Sequence, residues 1–288
     1  MPGRRVIPTS RGVRPPQVPG FQPPRPRGAG DRRRSISTGT AIAIALTTAI
    51  ALTSGSAGAV GHGRSRVKVH PDWERHPATQ HGRMSAEGCL AELTRQGIAF
   101  TSVERAPGVL APVRLVGDVD GVVYRTANPE AIRATNPFDV FDCRLVLALA
   151  DFSRVLRAHD IDRVILFSAW RPPGRRWEDG AIGTRHPGGL AIDAYRFGKR
   201  LAAGEAERDR RWLDVTRDFR PHIGAPVCGA DAPAPQPGTL EGRELRSIVC
   251  EAADQHMFTV MLTPHYNRAH SNHLHLEVTP AVRWYLVR

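Results

Sequence analysis

His270-Ser-Asn-His273-Leu-His275-Leu-Glu277-Val278 is the stretch of this 288-residue chain on which the reading turns. As an extended segment it puts His273, His275 and Glu277 on one face, about 7 Å apart at each step of two. Leu274, Leu276 and Val278 take the other face, which is the core side of a strand. The polar face could be only the exposed side of an edge strand. It nevertheless gathers two imidazoles and a carboxylate, the nitrogen and oxygen ligands that Zn²⁺ takes at about 2.0–2.2 Å.

A second segment, His186-Pro-Gly-Gly-Leu-Ala-Ile-Asp193, is built to meet the first. Positions 186 and 193 are an odd number of residues apart, so on one continuous strand their side chains would point to opposite faces. Pro187-Gly188-Gly189 breaks the strand, and a turn there folds His186 back toward Asp193. Asp193 shares its face with Ala191 and Tyr195, and the small alanine leaves room for an ion. The plainer alternative is a surface strand beside a polar turn. Three protein ligands with a fourth position left for water is the form of a catalytic zinc site. There is no H-E-x-x-H helix, no G-x-S-x-G elbow and no Walker loop, which disfavours the common metalloprotease, serine hydrolase and NTPase readings.

Around these segments the pattern is mixed. Leu90–Gln96, Cys143–His159 and Arg243–Met257 have helical spacing of apolar residues. Arg163–Trp170, Leu190–Phe197 and His273–Val278 read as strands, and Pro112–Arg125 as a hairpin turning at Asp120-Gly121. Residues 198–241, charged and then Pro-rich, read as a surface excursion. Helices and short strands do not alternate regularly, so the expected class is α+β rather than a doubly wound sheet. Of the other histidines, His62, His70, His76 and His81 read as solvated linker residues, His159 ends a helix, and His222, His256 and His265 have no evident partner.

Four regions follow along the chain. Residues 1–34 are Pro/Arg-rich without hydrophobic rhythm and read as a disordered basic segment. Residues 35–59 carry the apolar run Ala41–Leu52 and then Ala57-Gly58-Ala59. Twelve helical residues rise only about 18 Å against a hydrocarbon core of about 30 Å, so the segment reads as a secretory signal, with an uncleaved signal anchor as the alternative. Arg33-Arg34 is also compatible with a twin-arginine signal. Residues 60–85 read as a polar linker, and 86–288 as the folded domain.

All four cysteines, Cys89, Cys143, Cys228 and Cys250, lie in that domain. With no close C-x-x-C pair among them, two disulfides are expected, with three pairings open. The net charge of +12 is uneven: nine arginines and one acid in residues 1–60 give +8, leaving +4 for the other 228 residues. A nucleic-acid-binding body should carry a basic stripe, so nucleic acid is not an expected partner. Together these features lead to an exported domain.

At this point the residues resemble a known family. H-x6-D followed by H-x-H is similar to the zinc D-Ala-D-Ala peptidases of the LAS group, which includes wall-cutting endopeptidases. More closely, the stretch from about Gly88 to Glu277 resembles the bacterial extensin-like C-terminal domain. The matching pieces are Gly88-Cys89, Ala111-Pro-Val-Arg-Leu115, Cys143, Ser168-Ala-Trp-Arg171, His186–Asp193 and Tyr266-Asn-Arg-Ala-His270-Ser-Asn-His273-Leu-His275. The resemblance implies a LAS/hedgehog-like core, a small and mostly antiparallel central sheet flanked by helices. It implies Zn²⁺ on His186, Asp193 and His275, with His273 beside the metal water, His270 supporting the site and Arg171 binding the substrate carbonyl.

The chain departs from the family pattern at three places. Asn272 stands where the dipeptidase branch has Glu, Thr184 where Ser is usual, and Trp170 where Tyr is usual, a change expected to reshape substrate contact. The activity so implied is hydrolysis of amide bonds in peptidoglycan peptides, as a D,D-carboxypeptidase or endopeptidase. The rival reading is a non-catalytic wall-binding domain with a retained structural metal.

Overall fold

The computed structural model describes residues 69–174 and 176–288. The segments read as a basic tail (1–34) and a signal or anchor (35–59) lie outside the described residues, as does the first part of the linker. In chain order the helices are α1 (Pro77–Gly82), α2 (Ala86–Arg95), α3 (Glu130–Arg133), α4 (Cys143–Ala158), α5 (Val215–Asp218) and α6 (Leu240–Asp254). The strands begin with β1 (Phe100–Ser102), β2 (Pro112–Leu115), β3 (Val123–Thr126), β4 (Phe141–Asp142) and β5 (Ile161–Leu166). They continue with β6 (Ala191–Lys199), β7 (Trp212–Asp214), β8 (Val260–Leu262), β9 (Leu274–Glu277) and β10 (Leu286–Val287).

The class is α+β, with sheets flanked by helices. Strands β1-β2-β4 form a small antiparallel sheet, and a seven-stranded sheet runs β10-β8-β9-β6-β5-β3 with β7 also on β6. The larger sheet is mixed: β3 is parallel to β5 and β10 to β8, while every pairing of β6 is antiparallel. Helix α4 is the centre of the core, burying Leu145, Val146, Leu149, Phe152 and Leu156 against β5, α1, α2 and α6. Asp142 caps it, accepting from Arg144 N–H at 3.0 Å. The same buried carboxylate also pairs with the Arg144 guanidinium and accepts from Leu110 N–H. One aspartate thus satisfies a helix end and an adjoining loop, which is the condition for burying a charge there.

The cysteines pair as Cys89–Cys143 and Cys228–Cys250, closing loops of 54 and 22 residues in sequence separation. The first bolts α2 to the start of α4, and the second bolts the 228 loop to α6. Two such bridges fit an oxidising compartment. By loop-closure entropy they constrain the unfolded chain by about 4 and about 3 kcal/mol. Replacing the Cys89–Cys143 pair by serines is therefore expected to cost more stability than replacing the other, measured as the drop in urea unfolding midpoint. No helix among the described residues is long and apolar enough to cross a membrane.

Three expectations are corrected. The linker reading fails from His70 onward: Trp73 is buried under Arg83 at 4.1 Å and Arg283 at 5.0 Å, and α1 packs on α4. That helix buries only Ala78, Thr79 and Gly82, residues too small to give an apolar rhythm. The 112–125 hairpin also fails. Asp120 and Gly121 both have positive φ, as the turn requires, but it closes only the Val119–Val122 bridge. Beyond Leu115 the chain leaves the small sheet and enters the large one, β2 pairing with β1 and β4 while β3 pairs with β5. The 198–241 excursion supplies β7 and buries Leu213, Val215, Phe219 and Val227. Its short edge strand turns only one residue inward, so it leaves no alternation to read.

His81, expected to be solvated, instead puts Nε2 2.7 Å from Asp151 Oδ2. Burial raises the pKa of the Asp151 carboxyl, but hydrogen bonds from His81 and Arg154 outweigh it and hold the group below its usual value. Its contribution is thus present above the unfolded carboxylate pKa of about 3.9 and lost as pH falls through the native value. Asp151→Asn should flatten the acid limb of stability against pH, measured by urea unfolding from pH 6 downward.

Candidate metal centre

Strands β6 and β9 run antiparallel in the register Ala191–Glu277, Ile192–Leu276, Asp193–His275 and Ala194–Leu274. That register makes Asp193 and His275 direct cross-strand neighbours, the closest approach a sheet offers two side chains. On the other edge of β6 the ladder with β5 is irregular at Ile165/Leu166. Phe167 N–H then donates to Asp193 C=O at 2.8 Å, and Asp193 N–H to Ser168 C=O at 3.0 Å. The strand expected over 163–170 therefore ends at Leu166, and Ser168-Ala-Trp-Arg171 runs on past Asp193 as a loop.

His186 arrives from the broken end of β6. His186–Gly188 form a single 3-10 turn, and Gly189 is left-handed at φ 63°. Gly188 lies against Gly183: a Cβ there would sit 2.6 Å from the Gly183 carbonyl carbon and closer still to its oxygen. The turn is pinned by Trp170, whose indole N–H donates to Pro187 C=O at 3.2 Å, and by Arg171 N–H donating to His186 C=O at 3.1 Å. Trp170 is thus buried scaffolding for the turn that carries His186.

The structure brings together His186, Asp193 and His275, all buried, with one ligand atom of each within 4.8 Å of the others. His186 Nδ1 lies 2.6 Å from Ala169 C=O and donates to it, so Nε2 is the nitrogen turned to Asp193 Oδ1, at 3.1 Å. His275 Nε2 lies 3.1 Å from Glu277 Oε2 and donates to it, so Nδ1 faces the same Asp193 Oδ1 at 3.0 Å. Two imidazole nitrogens and a carboxylate oxygen converge on one point. A carbonyl behind one imidazole and a carboxylate behind the other is the outer arrangement that orients metal-ligating histidines. The two nitrogen-to-oxygen separations, 3.1 and 3.0 Å, are also near the edge, about 3.3 Å, of a tetrahedron with bonds of 2.0–2.1 Å. These residues can hold a metal ion, and their nitrogen and oxygen atoms suit Zn²⁺.

Burial disfavours the ionised form of Asp193, but the hydrogen bonds from His186 and His275 outweigh it and hold the carboxyl well below the usual range. Burial likewise opposes the charged forms of His275 and Glu277. Their mutual contact, with Asp193 on one side and Thr279 on the other, shifts His275 up and Glu277 down. Glu277, only 2% exposed, is a partner of the site that strand alternation placed on the correct face without assigning it this role.

Arg171 has its Nη2 on Asp193 Oδ2 and donates from Nε to Ser168 Oγ at 2.8 Å, while half of its side chain is exposed. No sequence pattern signalled that ion pair, because Arg171 lies in the loop after β5 and Asp193 on β6. His273 Nε2 lies 3.4 Å from Asp193 Oδ1, and its Nδ1 is 2.8 Å from Asn272 Oδ1. Burial, the largest influence, pushes the His273 pKa down to about 4, so its ring is neutral at pH 7. His270 stands behind them, its ring 5.1 Å from His273 and 5.9 Å from His275, with Nδ1 on Asn267 Oδ1 at 2.8 Å.

A cleft of about 490 Å³ opens over this group, walled by Arg171, Arg185, Tyr266, His270 and Trp284. Phe167, 43% exposed, stacks on Tyr195 at 4.1 Å and meets His273 edge-on at 5.8 Å. Compared with protein-family models, with curated proteins and with solved structures, the chain matches none of them.

Proposed function

We propose that the chain is an exported zinc-dependent hydrolase with a LAS-like, extensin-like core that cuts amide bonds in peptidoglycan peptides, as a D,D-carboxypeptidase or endopeptidase. The observation that carries this reading is the pair of buried imidazole nitrogens gathered with Asp193 at one point beside an open cleft. Zinc, when bound, supplies a Lewis acid that polarises a carbonyl and lowers the pKa of a water to about 7. His186, Asp193 and His275 would hold it, with Ala169 C=O and Glu277 fixing the two rings.

The remaining roles belong to residues on the cleft wall. Arg171, tethered by Ser168 and Asp193, offers its exposed edge to the substrate carbonyl and stabilises the charge that develops on its oxygen. His273, with Nδ1–H on Asn272, keeps Nε2 free to take a proton and return it to the leaving amine. Asn272 accepts from that ring and takes no proton itself, so proton transfer falls to the imidazole. The cleft supports catalysis over a structural metal, since structural zinc is enclosed by four protein ligands. The two disulfides support export, for which residues 35–59 supply the segment.

The test is to incubate the zinc-loaded protein with muropeptides and read product masses. Loss of a terminal alanine, or splitting of cross-linked dimers, abolished by chelator and restored by Zn²⁺, is the expected result. Intact muropeptides recovered from protein shown to contain zinc would overturn the reading in favour of a wall-binding domain.

A further inference from the structure

A second group of histidines meets where no motif pointed. His70 lies in the segment that enters the domain, His76 is the residue before α1, and His256 follows α6. They are separated by up to 186 positions, yet their ring centres are 4.5 Å (His70–His76), 4.7 Å (His70–His256) and 4.0 Å (His76–His256) apart. One ring nitrogen of each lies within 4.8 Å of the others'.

No hydrogen bond links the three rings to one another. The Nδ1 of His76 is a buried nitrogen with no hydrogen-bond partner among the described residues. His256 Nδ1 lies 3.1 Å from Asp254 C=O and donates to it, which leaves Nε2 as the nitrogen with a lone pair. Its backbone is left-handed at φ 50°, in the position after a helix where glycine is favoured. An L-residue there is strained, and its ring packs against the other two. Tyr285 closes one side, edge-on to His256 at 4.3 Å and fixed by its hydroxyl 2.8 Å from Thr79 Oγ1.

We propose that His70, His76 and His256 form a second metal site, binding a divalent transition ion that clamps the start of the domain to the end of α6. An all-imidazole set suits Zn²⁺, Cu²⁺ or Ni²⁺ and not the oxygen-seeking Ca²⁺ or Mg²⁺. Three imidazoles leave at least one position for solvent, and the three side chains are half-buried, so the ion can exchange. The clamp ties segments far apart in sequence, as the Cys89–Cys143 bridge does elsewhere in the domain. It shares no residue with the centre on β6 and β9 and does not depend on the peptidase reading.

The probe is Zn²⁺ alone, dialysed at low micromolar free concentration against the tag-free full-length chain, with bound zinc measured by mass spectrometry. Two equivalents are expected for the native chain, one for His256→Ala, one for His275→Ala and none for the double variant. His76→Asn is the control for folding, because asparagine at that position caps α1 while removing a ligand. It too should retain one equivalent, and muropeptide cleavage should be unchanged in it. Retention of two equivalents by both His76→Asn and His256→Ala would overturn the second site. Loss of both equivalents on His275→Ala alone would overturn it as well. Failure of His275→Ala to lose zinc would count only against the first centre.

Discussion

His275→Ala is expected to abolish muropeptide cleavage and to release the zinc of the first centre. The side chain supplies one of three converging donors, and its removal leaves only His186 and Asp193 of that set and Glu277 with no ring to orient. Neighbours of this group should grade below it. Glu277→Gln keeps the shape but weakens the acceptor behind His275, which for such outer partners costs about 10–100-fold in metal affinity or activity. Arg171→Ala removes a donor to the developing oxyanion, typically about 10²–10³ in kcat, and should leave the zinc content intact. The order His275→Ala, Arg171→Ala, Glu277→Gln in residual cleavage separates a metal ligand from a charge stabiliser and from a positioning residue. Cleavage by His275→Ala at the native rate would exclude the mechanism.

Gly188→Ala should be the most damaging single methyl group near the site. The added Cβ would run into the backbone carbonyl of Gly183, which cannot swing away as a side-chain tip can. Overpacking of side chains costs about 1–3 kcal/mol, and a backbone obstruction belongs at the top of that range. For a domain of this size each kcal/mol is about 2–4 °C in Tm, so a fall approaching 10 °C is expected by differential scanning calorimetry. The turn that yields is the one carrying His186, so zinc affinity at the first centre should fall with stability. A variant of native Tm and native zinc content would show that the Gly183–Gly188 contact does not hold His186 in place.

Several of these relations were legible in the sequence. Period-two alternation assigned the imidazole face of β9, the Pro-Gly-Gly break announced that His186 turns back, and the long apolar spacing marked α4. The register that sets Asp193 against His275 was not legible, because alternation gives a strand's faces and not its partner. The Arg171–Asp193 pair and the carbonyl behind His186 depend on a loop running past β6, which leaves no period. The 112–125 stretch misled because its turn chemistry was sound while its flanking strands had other partners. His70, His76 and His256 were invisible for a plainer reason: each lies outside the helices and strands, and the fold alone joins them.

Zinc-edge anomalous diffraction from crystals of the zinc-loaded protein would locate the ion itself. A peak is expected within about 2.2 Å of His186 Nε2, an Asp193 carboxylate oxygen and His275 Nδ1, with no fourth protein ligand. Zinc-loaded crystals with no anomalous density between those three side chains would contradict it, whatever other sites were filled.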